Sequence, residues 1–182
     1  MAESFVNSLT RAAGIVTTAT GGSIGVTTNK ITGISTAGIG VSDLVDNANY
    51  IAGTIVESLG VGTAYVSRDS TNSAAATNQS LKFLGVTTAL TAADKSILIG
   101  GTFANNTDSE VQLTVEVFDQ SVGVTTTGGS VALASKIPVP AGSSFVITDA
   151  GKTLLETSDE IRVYADSANA IDVNLSILKG VS

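Results

Sequence analysis

The residues that chemistry would use first in this chain are its closely spaced acids. Asp43 with Asp46, Asp108 with Glu110, and Glu156 with Asp159 and Glu160 stand two to four residues apart. Paired carboxyls can divide acid and base roles, as in glycoside hydrolysis, or hold calcium between loops. The groups that usually complete such sites are missing. The chain has no His, which removes the common general base at neutral pH and the standard hydrolytic triad. It has no Cys, which excludes disulfides and thiolate metal sites. The acids lack the spacing of an EF-hand loop, and each group falls in an expected turn or strand end, where carboxylates are ordinarily solvated. The sequence predicts no catalytic residue, no cofactor and no metal site.

Two glycine pairs invite a second kind of chemistry. Gly38-Ile39-Gly40 and Gly60-Val61-Gly62 share two glycines with a phosphate-binding loop, but neither has the third glycine or a following helix. Hairpin turns account for both.

The elements that must position these residues are strands. Gly-Val-Thr-Thr occurs at 25–28, 85–88 and 123–126, with a near copy at 14–18. Val and Thr are stiff at χ1 and pack well on a pleated surface, and the glycine supplies the turn before them. Residues 20–88 read as short strands punctuated every ten residues or so, with a polar loop at 68–77. Residues 89–95 read as a connector with one helical turn capped by Thr91. Beyond them the pattern is strongest. Val111, Leu113, Val115 and Val117 alternate with Gln112, Thr114 and Glu116, and Ile171, Val173, Leu175 and Ile177 with Asp172, Asn174 and Ser176. Such alternation means one buried face and one wet or subunit-contact face. Pro138 and Pro140 mark a strand end or an edge. One stretch reads otherwise: in 2–16, Phe5, Val6, Leu9, Ala12, Ala13 and Val16 follow helical spacing.

The expected fold is therefore all-β: two small antiparallel sandwich or barrel-like domains with a short N-terminal helix or arm. The expected boundaries are 1–19 for the arm, 20–88 for the first β domain and 89–182 for the C-terminal sandwich.

Composition says what this surface does not meet. Charged residues are 14%, against roughly 25% in typical soluble domains. A surface so poor in charge suits one covered by other subunits, since obligate interfaces are depleted in charge. The net charge of −7 argues against nucleic acid, whose binders neutralise phosphates, and against an anionic membrane surface. The nine basic residues are scattered along the chain. No apolar run reaches the length of a transmembrane helix, and Glu3 stands where a secretory signal wants positive charge, so synthesis in the cytoplasm without export is expected. The candidate interface residues are Phe5, Leu9 and Val16 on the arm, and Phe118, which falls on the polar parity of its strand. Tyr50, Tyr65, Phe118 and Tyr164 are the rings available for a glycan- or base-stacking platform, with core or interface packing as their plainer use.

Two segments carry a resemblance. Ile34-Ser35-Thr36-Ala37-Gly38-Ile39-Gly40-Val41-Ser42-Asp43-Leu44-Val45, with Ile51-Ala52-Gly53-Thr54-Ile55-Val56, is similar to a β module repeated in phage tail and surface proteins. Ile137-Pro138-Val139-Pro140-Ala141-Gly142, continuing through Asp159-Glu160-Ile161-Arg162-Val163 to Ala170-Ile171-Asp172-Val173, is similar to a C-terminal β-sandwich of phage virion components. With the Gly-Val-Thr-Thr phrases, the chain resembles structural proteins of tailed-phage particles, those of marine cyanophages in particular. The resemblance implies a non-enzymatic virion component at the capsid surface (as a decoration protein), neck or tail. It implies assembly in the host cytoplasm, and contacts with other copies of itself and with other virion proteins, as a homo-oligomer. A receptor- or glycan-binding module of a fibre or particle surface is the alternative it leaves open.

Overall fold

The computed structural model describes residues 3–122, 129–148 and 152–181; the Gly-Val-Thr-Thr at 123–126 lies outside them. The chain opens with β1 (Ser4–Ala13) and runs on through β2 (Ile15–Ile24), β3 (Lys30–Thr32), β4 (Leu44–Asp46), β5 (Val56–Gly60), β6 (Thr63–Val66) and β7 (Ala76–Gly85). It continues with β8 (Thr87–Thr91), β9 (Ser96–Asn105), β10 (Val111–Phe118), a single 3-10 turn at Gln120–Val122, and β11 (Ser130–Val139). The last strands are β12 (Ser144–Ile147), β13 (Thr153–Leu155), β14 (Glu160–Ala165) and β15 (Ile171–Lys179). Every pairing is antiparallel, and the fold is all-β and sandwich-like.

Two compact units share this path. One consists of Met1–Gly14 and Thr87–Ser182, the other of Ile15–Val86. The second is thus an insertion between β1 and β8 of the first, where the sequence predicts a serial arm, β domain and sandwich split at 19 and 88. The helical reading of 2–16 is also corrected. Residues 4–13 are the strand β1, registered on β15 from Ser4 opposite Lys179 to Thr10 opposite Val173. Phe5, Asn7, Leu9 and Arg11 point outward and exposed, while Val6, Ser8, Thr10 and Ala12 are half-buried. Positions i and i+4 share a face at period two as well as at 3.6, so Phe5 and Leu9 fit either reading. The free edge of β15 decides between them.

The first unit is a sandwich. Its five-stranded sheet has the order β1-β15-β9-β12, with β13 also paired to β9; its four-stranded sheet has the order β11-β10-β14-β8. The alternating strands deliver their apolar parity to the space between. Leu98, Phe103, Val173 and Leu175 of one sheet pack with Leu113, Val115, Ile161 and Val163 of the other. Pro138 lies in β11, at the edge of its sheet. Residues 87–91, read from sequence as the end of one domain and a connector, form the edge strand β8. At the end of β1, Gly14 takes φ +123°, and a Cβ there would lie 2.4 Å from the carbonyl oxygen of Ser167, so only glycine fits.

The inserted unit is a six-stranded sheet of order β4-β7-β2-β3-β6-β5. A bridge between Leu44 and Ile55 joins the β4 end of this order to the start of β5. The Val45 amide donates to the Thr54 carbonyl and the Val56 amide to that of Asp43. The joined ends wrap the sheet around Ile24, Ile31, Val45, Val56, Leu81 and Phe83, as in a barrel.

Candidate functional site: an apolar row on an open sheet face

The five-stranded sheet has a core face and an outer face, and the outer one is unusual. Phe5 lies opposite Leu178, Leu178 opposite Ile97, and Ile97 opposite Leu154. Four large apolar side chains therefore stand in register across β1, β15, β9 and β13 on the side away from the core. Phe5 is 78% exposed and Leu154 49%. With Ile99 and Lys152, the row of Phe5, Leu178 and Ile97 lines a shallow recess of about 270 Å³. A second row runs from Leu9, 74% exposed, through Asn174 and Thr102 to Val146. Between them lie Asn7 and Ser176, whose hydroxyl donates to Asn7 Oδ1 at 3.4 Å. Lys152 stands at the recess, and Arg11 and Asp172 lie beside Leu9. Asp172 Oδ1 accepts the Ala12 amide at 2.8 Å; that bond, then Asn106 and more weakly Arg11, hold its carboxyl below the usual range. Single exposed apolar residues are normal, whereas contiguous apolar patches mark contact surfaces.

Of the four interface residues expected from sequence, Phe5 and Leu9 share this face. Val16 belongs to β2 of the inserted unit and is half-buried. Phe118 is not exposed: it is 2% accessible, because the guanidinium of Arg162 lies 3.5 Å from its ring centroid. Both sit on the outer face of the four-stranded sheet, in a buried polar group on the parity that the sequence reading assigned to solvent or a subunit contact. Glu116 pairs with Arg162 across β10 and β14, and Thr114 with Tyr164. Arg162 Nε donates to Glu160 Oε2 at 2.7 Å. Burial pushes the Glu116 carboxyl up, against hydrogen bonds from Ser130 and Tyr164 and the charge of Arg162. Burial, then the Glu116 charge, pushes the Tyr164 phenol up. Glu116 Oε2 has no hydrogen-bond partner among the described residues. The sequence signal for this group was an aromatic, an arginine and a tyrosine on one parity of two neighbouring strands.

Of the remaining candidates, Asp108 and Glu110 lie exposed between β9 and β10, Asp46 ends β4 opposite Lys82, and the others hold local structure. Asp43 Oδ2 accepts the Gly40 amide at 2.7 Å, so the Gly38-Ile39-Gly40 loop is capped by the chain's own carboxyl, which burial pushes up. Gly60-Val61-Gly62 turns β5 into β6, with Gly60 opposite Thr63. Asp159 accepts the amides of Glu156 and Gln120, and Glu156 pairs with Lys95 at 3.1 Å. Among the described residues, no three acids are grouped as for a metal ion. Of the four rings considered as a platform, Tyr50, Phe118 and Tyr164 are buried and Tyr65 is 38% exposed, with the Lys30 ammonium 5.6 Å from its ring centroid. No helix among the described residues is long and apolar enough to cross a membrane. In comparisons with known proteins, no family model, no curated protein and no solved structure matches the chain.

Proposed function

We propose that this chain is a non-enzymatic structural subunit of a tailed-phage particle, at the capsid surface, neck or tail, acting through repeated contacts with its own copies and with other virion proteins. The observation that carries the reading is the registered row of Phe5, Leu178, Ile97 and Leu154 on an open sheet face. A sheet buries an apolar face against another layer, and among the described residues of its unit no strand forms a second layer over this face. The low charge content and the resemblance of its segments to virion components favour the same reading. Asp43 and Asp159 accept loop amides, Glu156 and Glu160 form ion pairs, and three of its four candidate platform rings are buried, so subunit contact is preferred to enzymatic or glycan-binding roles.

Mass spectrometry of density-purified virions, with antibody labelling in electron microscopy, tests the proposal. The expected result is the chain in multiple stoichiometric copies at one location, assembled in the host cytoplasm. Its absence from purified particles overturns the proposal.

A further inference from the structure

We propose that two copies of this chain join through β1, antiparallel and centred on Asn7, so that the five-stranded sheets continue into one another across a two-fold axis. This rests on the reading of the chain as a repeated subunit, and it names the first contact that subunit makes.

The argument starts from the outward parity of β1 and the residue before it: Glu3, Phe5, Asn7, Leu9 and Arg11. The order is self-complementary. An antiparallel pairing in which Asn7 faces Asn7 of the second copy sets Phe5 opposite Leu9 and Glu3 opposite Arg11, each twice by symmetry. Aromatic–aliphatic and opposite-charge pairs are the favourable cross-strand combinations. The pairing covers the two most exposed apolar side chains of β1 and neutralises its Arg11 with the Glu3 that precedes it. It is isologous, as a two-fold contact must be.

The backbone favours β1 over the other edges. Among the described strands β1 pairs only with β15, and its register is unbroken from Ser4 to Thr10; its one shift, with Ala12 at φ +56°, falls at the C-terminal end next to Arg11, outside the Phe5–Leu9 centre of the proposed pairing. It carries no proline. A long, regular, apolar edge is a template for pairing with another chain. The other edges of this unit are blunted. β11 contains Pro138, two register shifts and Lys136 at φ +49°. β8 has five residues and a shift in the pairing it makes. β12 and β13 have four and three residues.

The chain's lack of cysteine makes the test direct. Asn7→Cys in the full-length protein puts one thiol at the two-fold axis, where facing Cα atoms of an antiparallel pair lie within disulfide reach. Mild oxidation should convert this variant to a covalent dimer, while Val131→Cys on the β11 edge stays monomeric. In sedimentation equilibrium, Glu3→Arg or Arg11→Glu alone should weaken the dimer about tenfold, since two attractive pairs become repulsive. The double variant should recover most of the loss. Failure of Asn7→Cys to cross-link, cross-linking of Val131→Cys in its place, or a double variant no better than the singles overturns the pairing. Presence in purified virions is read separately. A monomer found in virions sinks the β1 contact and spares the virion reading, and a β1 dimer absent from virions does the reverse.

Discussion

The guanidinium of Arg162 covers the ring of Phe118 at 3.5 Å and at the same time donates through Nε to Glu160 at 2.7 Å. One side chain thus seals an aromatic ring on the face of a sheet that its own alternation marks as polar. Among the described contacts of the ring is a cation on a face whose alternation is polar.

Removing the ring should therefore cost more than its place on a polar parity suggests. Phe118→Ala is expected to destabilise the sandwich unit by about 3 kcal/mol, the low end for a buried phenylalanine. Phe118→Leu keeps apolar bulk and loses the cation–ring contact, for about 1–2 kcal/mol. Urea unfolding followed by far-ultraviolet circular dichroism measures both. Equal, negligible losses would show that the stack contributes nothing.

Glu116 makes the same region sensitive to pH. Its folded carboxyl is raised above the ordinary value of 4.5, chiefly by burial. The stability linked to a raised carboxyl is fully present below the unfolded value and falls as pH rises through the folded one. The wild-type protein should thus lose stability as pH climbs from 4.5 through that higher folded value. Glu116→Gln cannot ionise and should lose this part of the slope, becoming the more stable of the two at neutral pH. Chemical denaturation of both proteins from pH 4 to pH 8 checks it; parallel curves would place Glu116 in a solvated setting.

What could be read from the sequence, and what could not, follows from the range of each signal. The alternation of Ile171, Val173, Leu175 and Ile177 is local, and all four are buried in β15. The spacing in 2–16 is ambiguous because Phe5 and Leu9 suit a helix and a strand equally, and the deciding partner, β15, lies at the far end of the chain. The insertion leaves no mark, since Ile15 and Thr87 each continue a β-branched stretch that reads as strand. The candidate face was half visible. Phe5 and Leu9 were legible as candidate contact residues, but the row through Leu178, Ile97 and Leu154 exists only once register is set by pairing. Phe118 misled because parity gives the face of a side chain and not what covers that face.

The insertion predicts that both units fold separately. The Gly14 amide donates to Thr87 Oγ1 at 3.2 Å, so the two ends of the sandwich meet where the inserted unit leaves. Ile15 lies opposite Gly85 in the pairing of β2 with β7, so the ends of the inserted unit meet as well. A chain with 15–86 replaced by a short Gly-Ser link should give a cooperative unfolding transition, and so should 15–86 alone. A molten transition in either would show that the two depend on each other.

Gly14 should tolerate no side chain. Its φ of +123° and the Ser167 carbonyl oxygen that an added Cβ would strike combine backbone strain with a backbone clash, so Gly14→Ala should cost about 2–3 kcal/mol. Gly142, at φ +64° with open space around it, is the control: Gly142→Ala meets the left-handed penalty alone, about 1 kcal/mol. Thermal unfolding of the two variants separates strain from collision. Equal losses would mean that the Ser167 contact relaxes freely.

The outer sheet face can be tested apart from the β1 edge through Leu154. This residue lies on β13, at the opposite end of the apolar row from Phe5, so its replacement leaves the outward residues of β1 untouched. It is half exposed, and substitutions at such surface positions usually change stability by less than about 0.5 kcal/mol. Leu154→Lys should therefore fold like the wild type. If the row is a subunit contact, the lysine must be desolvated against a neighbour's apolar surface, which costs far more than exposure in the free protein. On the proposed virion reading, complementation of a phage lacking the wild-type gene measures the difference. The expected result is normal soluble yield and thermal stability with incorporation reduced at least tenfold, and a milder defect for Leu154→Met, which keeps apolar bulk. Full incorporation of Leu154→Lys would show that the row faces solvent in the particle.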